Sequence, residues 1–465
     1  MLRAGKSVQQ LGRQLRCLST SNSASNVLSV LKERGFVHQV THQNELENAL
    51  SSPQVIYSGI DPTAASLHIG HLVPLMSMLH FQLHGHTTIS LMGGATGLIG
   101  DPSGRKTERE PANVQQVEAN VNSISENVKK FFARAVQYAS NRLSNLNASN
   151  VTEPVLQSNL SWHQDFGMLE FLRTVGIHAR VNTMISRDSV RTRLESSAGL
   201  SFTEFTYQLL QAYDFFHLHR HFGCTIQVGG SDQWGNIVAG LELISRSDSA
   251  DPKVFGITTP LLTTASGEKF GKSAGNAVWL DPKLTSVFDF YQYFLKVEDA
   301  DVEKYLKLFT LLPISRIQEV MQNHQAEPEK RIAQRVLAAE VTELVHEASG
   351  AAQAEKTTKV AFRQPNTTKN SLDAQSIIGA FEGDPRFKWC EREELHSTPV
   401  IKLASKYSLV PSTSAARQLV QSRGLYLNNA AISEVQFTLK DSDLLEGQVA
   451  VIRAGKDKLL VLAVK

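Results

Sequence analysis

Between Pro62 and Gly100 the chain carries no Asp, Glu, Lys or Arg. A stretch of that length without charge has to be hidden from water, in a membrane or in a folded core. His68, His71, His80, His84, His86, Pro74 and several glycines interrupt it, and it contains no 18-residue apolar run. A bilayer would leave many of those polar groups unpaired, so the segment predicts a buried strand-loop-helix unit. Val55–Ile60 reads as a short buried strand, Asp61-Pro62-Thr63 as a turn, and a helix is expected from about Leu67. A second strand, Thr87–Met92, runs into Gly93-Gly94-Ala95-Thr96-Gly97. Strand, helix, strand, with glycines at the carboxyl end, is the plan of a nucleotide-binding parallel sheet in an α/β fold.

With 465 residues, 42% of them apolar, the chain has material for two or three domains. Its 47 basic and 45 acidic residues leave a net charge of +2, so any contact with RNA must come from local patches. Cys17, Cys224 and Cys390 are too far apart for metal-ligand spacing and odd in number, which indicates neither a zinc site nor a disulfide framework. Residues 1–32 contain Arg3, Lys6, Arg13, Arg16 and Lys32 and no acid, with Val8, Leu11, Leu15 and Leu18 on one helical face. They read as a mitochondrial transit peptide, the alternative being a disordered basic arm. Sequons at Asn147, Asn150, Asn159 and Asn366 lack a preceding secretory segment and are taken as unused.

Further along, Ser140–Asn150 reads as a surface insertion, and Ser201–His221 as a helix. Phe202, Phe205, Leu209 and Phe216 share its expected packing face, with Tyr207, Gln211 and Asp214 on the opposite one. Thr225–Gly229 has strand character and leads into Ser231-Asp232-Gln233-Trp234. Residues from about Leu284 to Ser349 are helical in pattern. The polar stretch from Ala351 to about Asp384 reads as a linker. From about Pro399 a compact module follows, with Ser412 and Ser414 as candidate caps of a short helix and Leu425–Leu427 as a strand.

Two separated segments suit phosphate chemistry. Around His68-Ile69-Gly70-His71, a glycine turn and a helix N-terminus offer N–H donors. In Lys269-Phe270-Gly271-Lys272-Ser273, two flexible cations sit among glycines. The second segment is not a Walker A loop, because that motif needs glycine at position 266, where this chain has Ser266. Gly100-Asp101-Pro102-Ser103-Gly104 lacks dinucleotide-fingerprint spacing, so NAD is not indicated.

Taken in order, these segments resemble class I aminoacyl-tRNA synthetases, and within them the tyrosyl-tRNA synthetases of the bacterial and mitochondrial type. The likeness spans nearly the whole chain after the presequence. It runs through Tyr57 to Thr63, His68 to His71, Gly93 to Gly104, Tyr207 to Asp214, Gly229 to Trp234 and the lysine loop. The last of these reads Lys-Phe-Gly-Lys-Ser in place of Lys-Met-Ser-Lys-Ser and keeps both lysines. The resemblance implies ATP-dependent activation of L-tyrosine to tyrosyl-adenylate and its transfer to tRNA(Tyr), with Mg²⁺ accompanying ATP and no tightly bound protein metal. A carboxylate nucleophile needs no general base, so catalysis can rest on positioning and charge stabilisation.

By the same resemblance, Thr63, His68, His71, Lys269 and Lys272 are the catalytic set. Gly70, Gly230, Asp232 and Ser273 join them around ATP. Tyr57 and Asp214 take the phenol, Asp101, Tyr207 and Gln211 the α-ammonium, and Asp61 and Gln233 complete the tyrosine site. Loss of the phenol would strand Tyr57 and Asp214, a basis for rejecting phenylalanine that the resembled family itself exemplifies. The end of the chain resembles an S4-type RNA-binding domain through Ser414 to Leu419 and Gly424 to Asn428, with Lys402, Lys406, Arg417 and Arg423 as candidate RNA contacts.

The implied organisation is a transit peptide over 1–25 and a Rossmann-like parallel-sheet catalytic domain over 26–283. A helical anticodon-side domain covers 284–350, a linker and lead-in 351–398, and a small α+β S4-like domain 399–465. A homodimer in the mitochondrial matrix, without membrane association, follows from the same likeness. A tryptophanyl enzyme of the same fold, or a synthetase-like RNA-binding protein without catalysis, are the competing readings.

Overall fold

The computed structural model describes residues 26–104, 107, 112–143, 146, 151–195, 199–247, 252–263, 270–273, 276–361, 374–455 and 458–465, without side chains at 272, 273, 276, 360, 361, 376 and 380. The expected presequence and Lys269 lie outside the described residues.

A six-stranded sheet organises the first half. Its strands are β1 (Gln39–Val40), β2 (Val55–Ile60), β3 (Thr87–Met92), β4 (Val155–Ser158), β5 (Ile226–Gly230) and β6 (Phe255–Thr259), in the order 1-6-5-2-3-4. All neighbours run parallel except β1, which pairs antiparallel with β6. Covered on both faces, β3 and β6 are apolar or small along their length, as interior parallel strands require. The central strand β2 has β3 on one side and β5 on the other, with Tyr57 beside both Ile89 and Gln227. The chain leaves β2 toward β3 and returns later on the opposite side at β5. A crevice therefore opens beyond the carboxyl ends of these strands.

The uncharged segment supplies β3 and the helix before it, α1 (Leu72–Leu83), in which Met76, Leu79 and Phe81 are fully buried. A 3₁₀ turn at Ile69–His71 leads into α1, and the His68 side chain caps it by accepting from the Gly70 N–H at 3.1 Å. Pro74 falls in the first turn of α1, where the helix accommodates it without a break.

A long helix, α2 (Val114–Arg142), runs across to the helical half of the chain. It continues through Ser140–Arg142, where the sequence pattern suggested an insertion; the following residues are mostly outside the described set. The next long helix, α3 (Phe202–Phe222), is capped at its start by Ser201 accepting from the Glu204 N–H. The expected packing stripe packs in part, with Leu209 and Phe216 half-buried against Val175, Ala239 and Leu243, and the polar stripe is the more deeply buried of the two. Tyr207, Asp214, Phe215 and Leu218 are buried, whereas Phe202 is 73% exposed. The polar stripe lies inside because it faces the crevice and is hydrogen-bonded there. After β5, α4 (Trp234–Ser247) packs on α3.

Four helices follow: α5 (Val287–Leu295), α6 (Asp299–Phe309), α7 (Ile314–Ala326) and α8 (Ile332–Ala361). They share one core with the sheet half, from Leu28 and Phe81 to Tyr305 and Leu344. Arg142 on α2 bridges Glu340 at 3.0 Å and Glu343 at 2.5 Å on α8, and the Tyr138 hydroxyl donates to Glu340 at 2.6 Å. Arg34 donates to the carbonyls of Lys307, Thr310 and Leu312. The region expected as a linker is structured at both ends. Helix α8 continues to Ala361 with a kink at His346 and Glu347, and α9 spans Ala374–Phe381.

The terminal module is a five-stranded sheet in the order β11-β10-β12-β13-β9. Its strands are β9 (Phe387–Cys390), β10 (Leu425–Leu427), β11 (Ala430–Ala431), β12 (Val449–Ala454) and β13 (Lys458–Val464). Strand β9 lies N-terminal to the expected boundary at 399 because it pairs parallel with β13, a long-range match with no local signal. Helix α10 (Thr413–Gln421) has Ser412 as its cap, and Ser414 lies inside it.

Candidate active site

A cavity of about 430 Å³ opens at the carboxyl ends of β2, β3 and β5. It is lined by Tyr57, Asp61, Thr63, His68, Gly70, His71, Asp101, Tyr207, Gln211, Asp214, Gly230, Asp232 and Gln233. These are the residues that the sequence assigned to tyrosine and ATP, apart from those of the lysine loop. Pro74, Thr96 and Asn159 line it as well.

At Asp214 the carboxylate is 3% exposed and held by three donors. Asn159 Nδ2 reaches Oδ2 at 2.9 Å, and Trp162 Nε1 and His163 Nε2 each reach Oδ1 at 2.8 Å. A buried carboxylate without such partners would be costly. Beside it, the Tyr57 hydroxyl is buried and has no hydrogen-bond partner. Burial raises the Tyr57 pKa well above the ordinary phenol value, and the Asp214 charge raises it further, so this hydroxyl keeps its proton. An orphaned donor next to a carboxylate marks a place where a ligand supplies the missing partner.

A second network ties β2 to α3. The Tyr207 hydroxyl donates to Asp61 Oδ2 at 2.9 Å, Thr96 Oγ1 donates to Asp61 Oδ1 at 2.8 Å, and Asn159 donates to Thr96 at 3.0 Å. A Cβ on Gly93 would sit 2.1 Å from Asp61 Oδ1, so a larger residue in the turn after β3 would displace the carboxylate that Tyr207 and Thr96 hold. Burial, then the charges of Asp61 and Asp101, raise the Tyr207 pKa and keep its phenol protonated.

The third group gathers acceptors. Asp101 accepts from the Ser103 N–H at 2.8 Å and from Gln233 Nε2 at 2.7 Å. Asn236 Nδ2 donates to Gln211 Oε1 at 3.1 Å and to Gln233 Oε1 at 3.2 Å. Asp101, Gln211 and the Tyr207 oxygen therefore present acceptors to one cavity, a match for an ammonium with three N–H groups.

His71 Nδ1 accepts from the His68 N–H at 3.1 Å, and the two imidazole rings lie 4.1 Å apart. Burial, reinforced by His68, lowers the His71 pKa to about 3, so this imidazole is neutral at physiological pH. It offers a hydrogen bond without adding charge.

Two hundred residues later in sequence, the lysine loop returns to this turn. Its hairpin pairs β7 (Lys272–Ser273) with β8 (Asn276–Ala277). The Ile69 N–H donates to the Val278 carbonyl, the Val278 N–H to Gly271, and the Leu280 N–H to Leu67. Gly271 has φ +97°, a conformation that favours glycine, and a Cβ there would lie a tight 3.3 Å from the Gly70 nitrogen. Phe270 anchors the loop in the helical half, its ring 4.5 Å from Tyr305 and stacked 5.4 Å from Phe309. For Lys272 and Ser273 only the strand backbone is described.

Asn159, Trp162, His163, Thr96 and Asn236 escaped the sequence reading. Thr96 sits inside the Gly93–Gly104 segment without having been assigned a role, Trp162, His163 and Asn236 form no recognisable motif, and the sole mark on Asn159 was a sequon, which its complete burial makes unusable in the fold. In the terminal module, Lys402, Lys406, Arg417 and Arg423 are all exposed, and Lys406 is paired with Glu394.

Residues 50–363 match the family described as tRNA synthetases class I (W and Y), and residues 379–462 match a tyrosine–tRNA ligase SYY-like C-terminal domain. The mitochondrial tyrosine–tRNA ligase of Saccharomyces cerevisiae is 41% identical over 97% of this chain and 92% of its own length. Tyrosine–tRNA ligase 1 of Bacillus subtilis is 41% identical over 95% of this chain and all of its own. A crystal structure of a C-terminally truncated mitochondrial tyrosyl-tRNA synthetase from Aspergillus nidulans superposes with a TM-score of 0.67 at 34% identity, covering 76% of this chain and 97% of that one. The chain belongs to the tyrosyl-tRNA synthetase family of class I aminoacyl-tRNA synthetases.

Proposed function

We propose that this tyrosine–tRNA ligase divides its work among the cavity residues as follows. Tyr57 and Asp214 receive the substrate phenol, and this is the assignment that the unpartnered Tyr57 hydroxyl beside a thrice-bonded Asp214 supports most directly. Asp101, Gln211 and Tyr207 hold the α-ammonium, with Asp61 fixing Tyr207 and Gln233 fixing Asp101. The carboxylate attacks the α-phosphorus of ATP, the bond to the bridging oxygen breaks, and pyrophosphate leaves with tyrosyl-adenylate remaining. The 3′-terminal ribose hydroxyl of tRNA(Tyr) then attacks the acyl carbon and releases AMP.

Thr63, His68 and His71, with the N–H groups of the Gly70 turn, address ATP; Gly230 and Asp232 address its ribose side. Lys269, Lys272 and Ser273 meet the departing pyrophosphate, because their loop is stitched to the His68 turn through Gly271, Val278 and Leu280. Among the described residues no group of three His, Cys, Asp or Glu side chains forms a metal cage. Mg²⁺ accompanies the triphosphate, as the family's use of ATP implies, and would supply charge neutralisation there.

A second cavity of about 590 Å³ shares Gly104 and Asp232 with the first and is rich in hydroxyls, including Thr183, Ser186, Ser189 and Thr192. It suits entry of the tRNA 3′ end. Exposed Lys402, Lys406, Arg417 and Arg423 suit phosphate contacts further along the tRNA. Met168, Leu169, Ile177, Val181 and Phe202 are each more than half exposed within one segment of the chain, which supports a homodimer contact there. The mitochondrial relatives and the basic first 32 residues support a mitochondrial matrix location.

A crystal structure with a non-hydrolysable tyrosyl-adenylate analogue tests the layout. The phenol is expected between Tyr57 and Asp214, and the adenosine at the His68–His71 turn. A reversed ligand, or one seated in the second cavity, would overturn it.

A further inference from the structure

The three-donor clamp on Asp214 contains a residue that no part of the ATP or tyrosine assignment uses. His163 does not line the cavity; it reaches Asp214 Oδ1 from behind, its side chain 7% exposed and its ring 5.6 Å from Tyr213. We propose that His163 is a positioning residue that sets tyrosine-against-phenylalanine selectivity by filling one acceptor site of Asp214. This inference rests on the assignment of Asp214 to the substrate phenol.

An ionised carboxylate is acceptor-only and offers about four lone-pair sites. His163 must therefore donate through Nε2, in the tautomer that carries its proton there. Trp162 and His163 fill both sites on Oδ1, and Asn159 fills one on Oδ2. One vacancy remains, on the atom nearest the donor that lines the cavity. Tyrosine fills it with its phenolic proton, and the phenol oxygen in turn accepts from the orphaned Tyr57 hydroxyl. Phenylalanine leaves both groups unpaired. Without the His163 donor, Asp214 has two vacancies. The carboxylate then turns toward, or recruits water for, the second one, and a single phenol no longer completes its shell.

Two variants separate this role from packing. His163→Phe keeps a ring against Tyr213 and removes the donor, whereas His163→Gln keeps an N–H at comparable reach. In amino-acid-dependent pyrophosphate exchange, His163→Phe should raise the KM for tyrosine about tenfold or more, the range for a hydrogen bond to a charged group. Its kcat and its KM for ATP should stay within about twofold of wild type, and phenylalanine should be used no worse than before. His163→Gln should recover most of the tyrosine KM. An unchanged tyrosine-to-phenylalanine ratio in His163→Phe overturns the proposal. So does a parallel loss of kcat, ATP affinity and melting temperature that His163→Gln fails to rescue. Asp214→Asn is the companion measurement: if it too leaves the ratio unmoved, the phenol assignment itself fails and takes the inference with it. If it collapses the ratio while the His163 variants do not, only the inference fails.

Discussion

Replacing Tyr57 by phenylalanine should move stability and affinity in opposite directions. The hydroxyl is buried and unpaired in the unliganded protein, and leaving a buried donor unsatisfied costs about 1–3 kcal/mol. Tyr57→Phe removes that cost, and the ring keeps its place 5.2 Å from Phe215 in the core beneath the cavity. The unliganded variant should therefore gain on the order of 1 kcal/mol, which raises the melting temperature by about 1–2 °C for a shared core of this size. Tyrosine binding loses a neutral hydrogen bond worth about 0.5–1.5 kcal/mol, a roughly two- to twelvefold rise in Kd. Phenylalanine binding improves, because one stranded polar group, the vacant Asp214 acceptor, remains instead of two. Differential scanning fluorimetry without ligand, and equilibrium dialysis with labelled tyrosine and phenylalanine, read the two halves separately. A variant that melts lower than wild type and binds tyrosine unchanged would refute the reasoning, because the hydroxyl would then have an internal partner.

Three further outcomes follow. Lys272→Ala should lower the single-turnover rate of adenylate formation with little change in tyrosine Kd, since its proposed partner is the departing pyrophosphate; equal rates would refute that role. Removing Lys402, Lys406 and Arg423 together should weaken tRNA binding and flatten its salt dependence while adenylation stays intact, and loss of both would show the module to be structural. The fold should also lose stability in mild acid. Burial first of all lowers the pKa of His86 and of His346 to about 4, and it lowers that of His80 well below the ordinary imidazole value. Each is neutral in the fold, while in the unfolded chain each protonates near 6.5. Their contribution is thus complete above about pH 6.5 and is lost as pH falls toward 4, at about 1 kcal/mol per histidine by pH 5.5. Chemical denaturation at pH 7.5 and 5.5 should show the drop; equal midpoints would contradict it.

The sheet was legible where local chemistry decides it. Val55–Ile60 and Thr87–Met92 are uncharged runs rich in β-branched and apolar residues that end in turn residues, and the structure places them at the bounds read from the sequence. Along α3 the 3.6-residue period sets Tyr207, Gln211 and Asp214 apart from the apolar stripe, and all three line the cavity; what periodicity does not show is that this polar stripe is the more deeply buried one. Only the tertiary partners of Tyr207 and Asp214 settle that. Residues 351–361 were read as linker from their Lys, Thr and Gln content, yet Ala-Ala-Gln-Ala-Glu-Lys is a good helix former, and packing against α5 carries α8 onward. Strand β9 was missed because its partner β13 lies some seventy residues away in sequence. In the site, the residues with motif neighbours were found. Asn159, Trp162 and His163, which hold Asp214, follow the short edge strand β4 without a pattern.

Amino-acid-dependent exchange of labelled pyrophosphate into ATP reads which amino acid the cavity activates. The cavity built on Tyr57 and Asp214 should support exchange with tyrosine, and neither tryptophan nor phenylalanine should substitute at comparable concentration. Exchange with tryptophan and none with tyrosine would contradict the account.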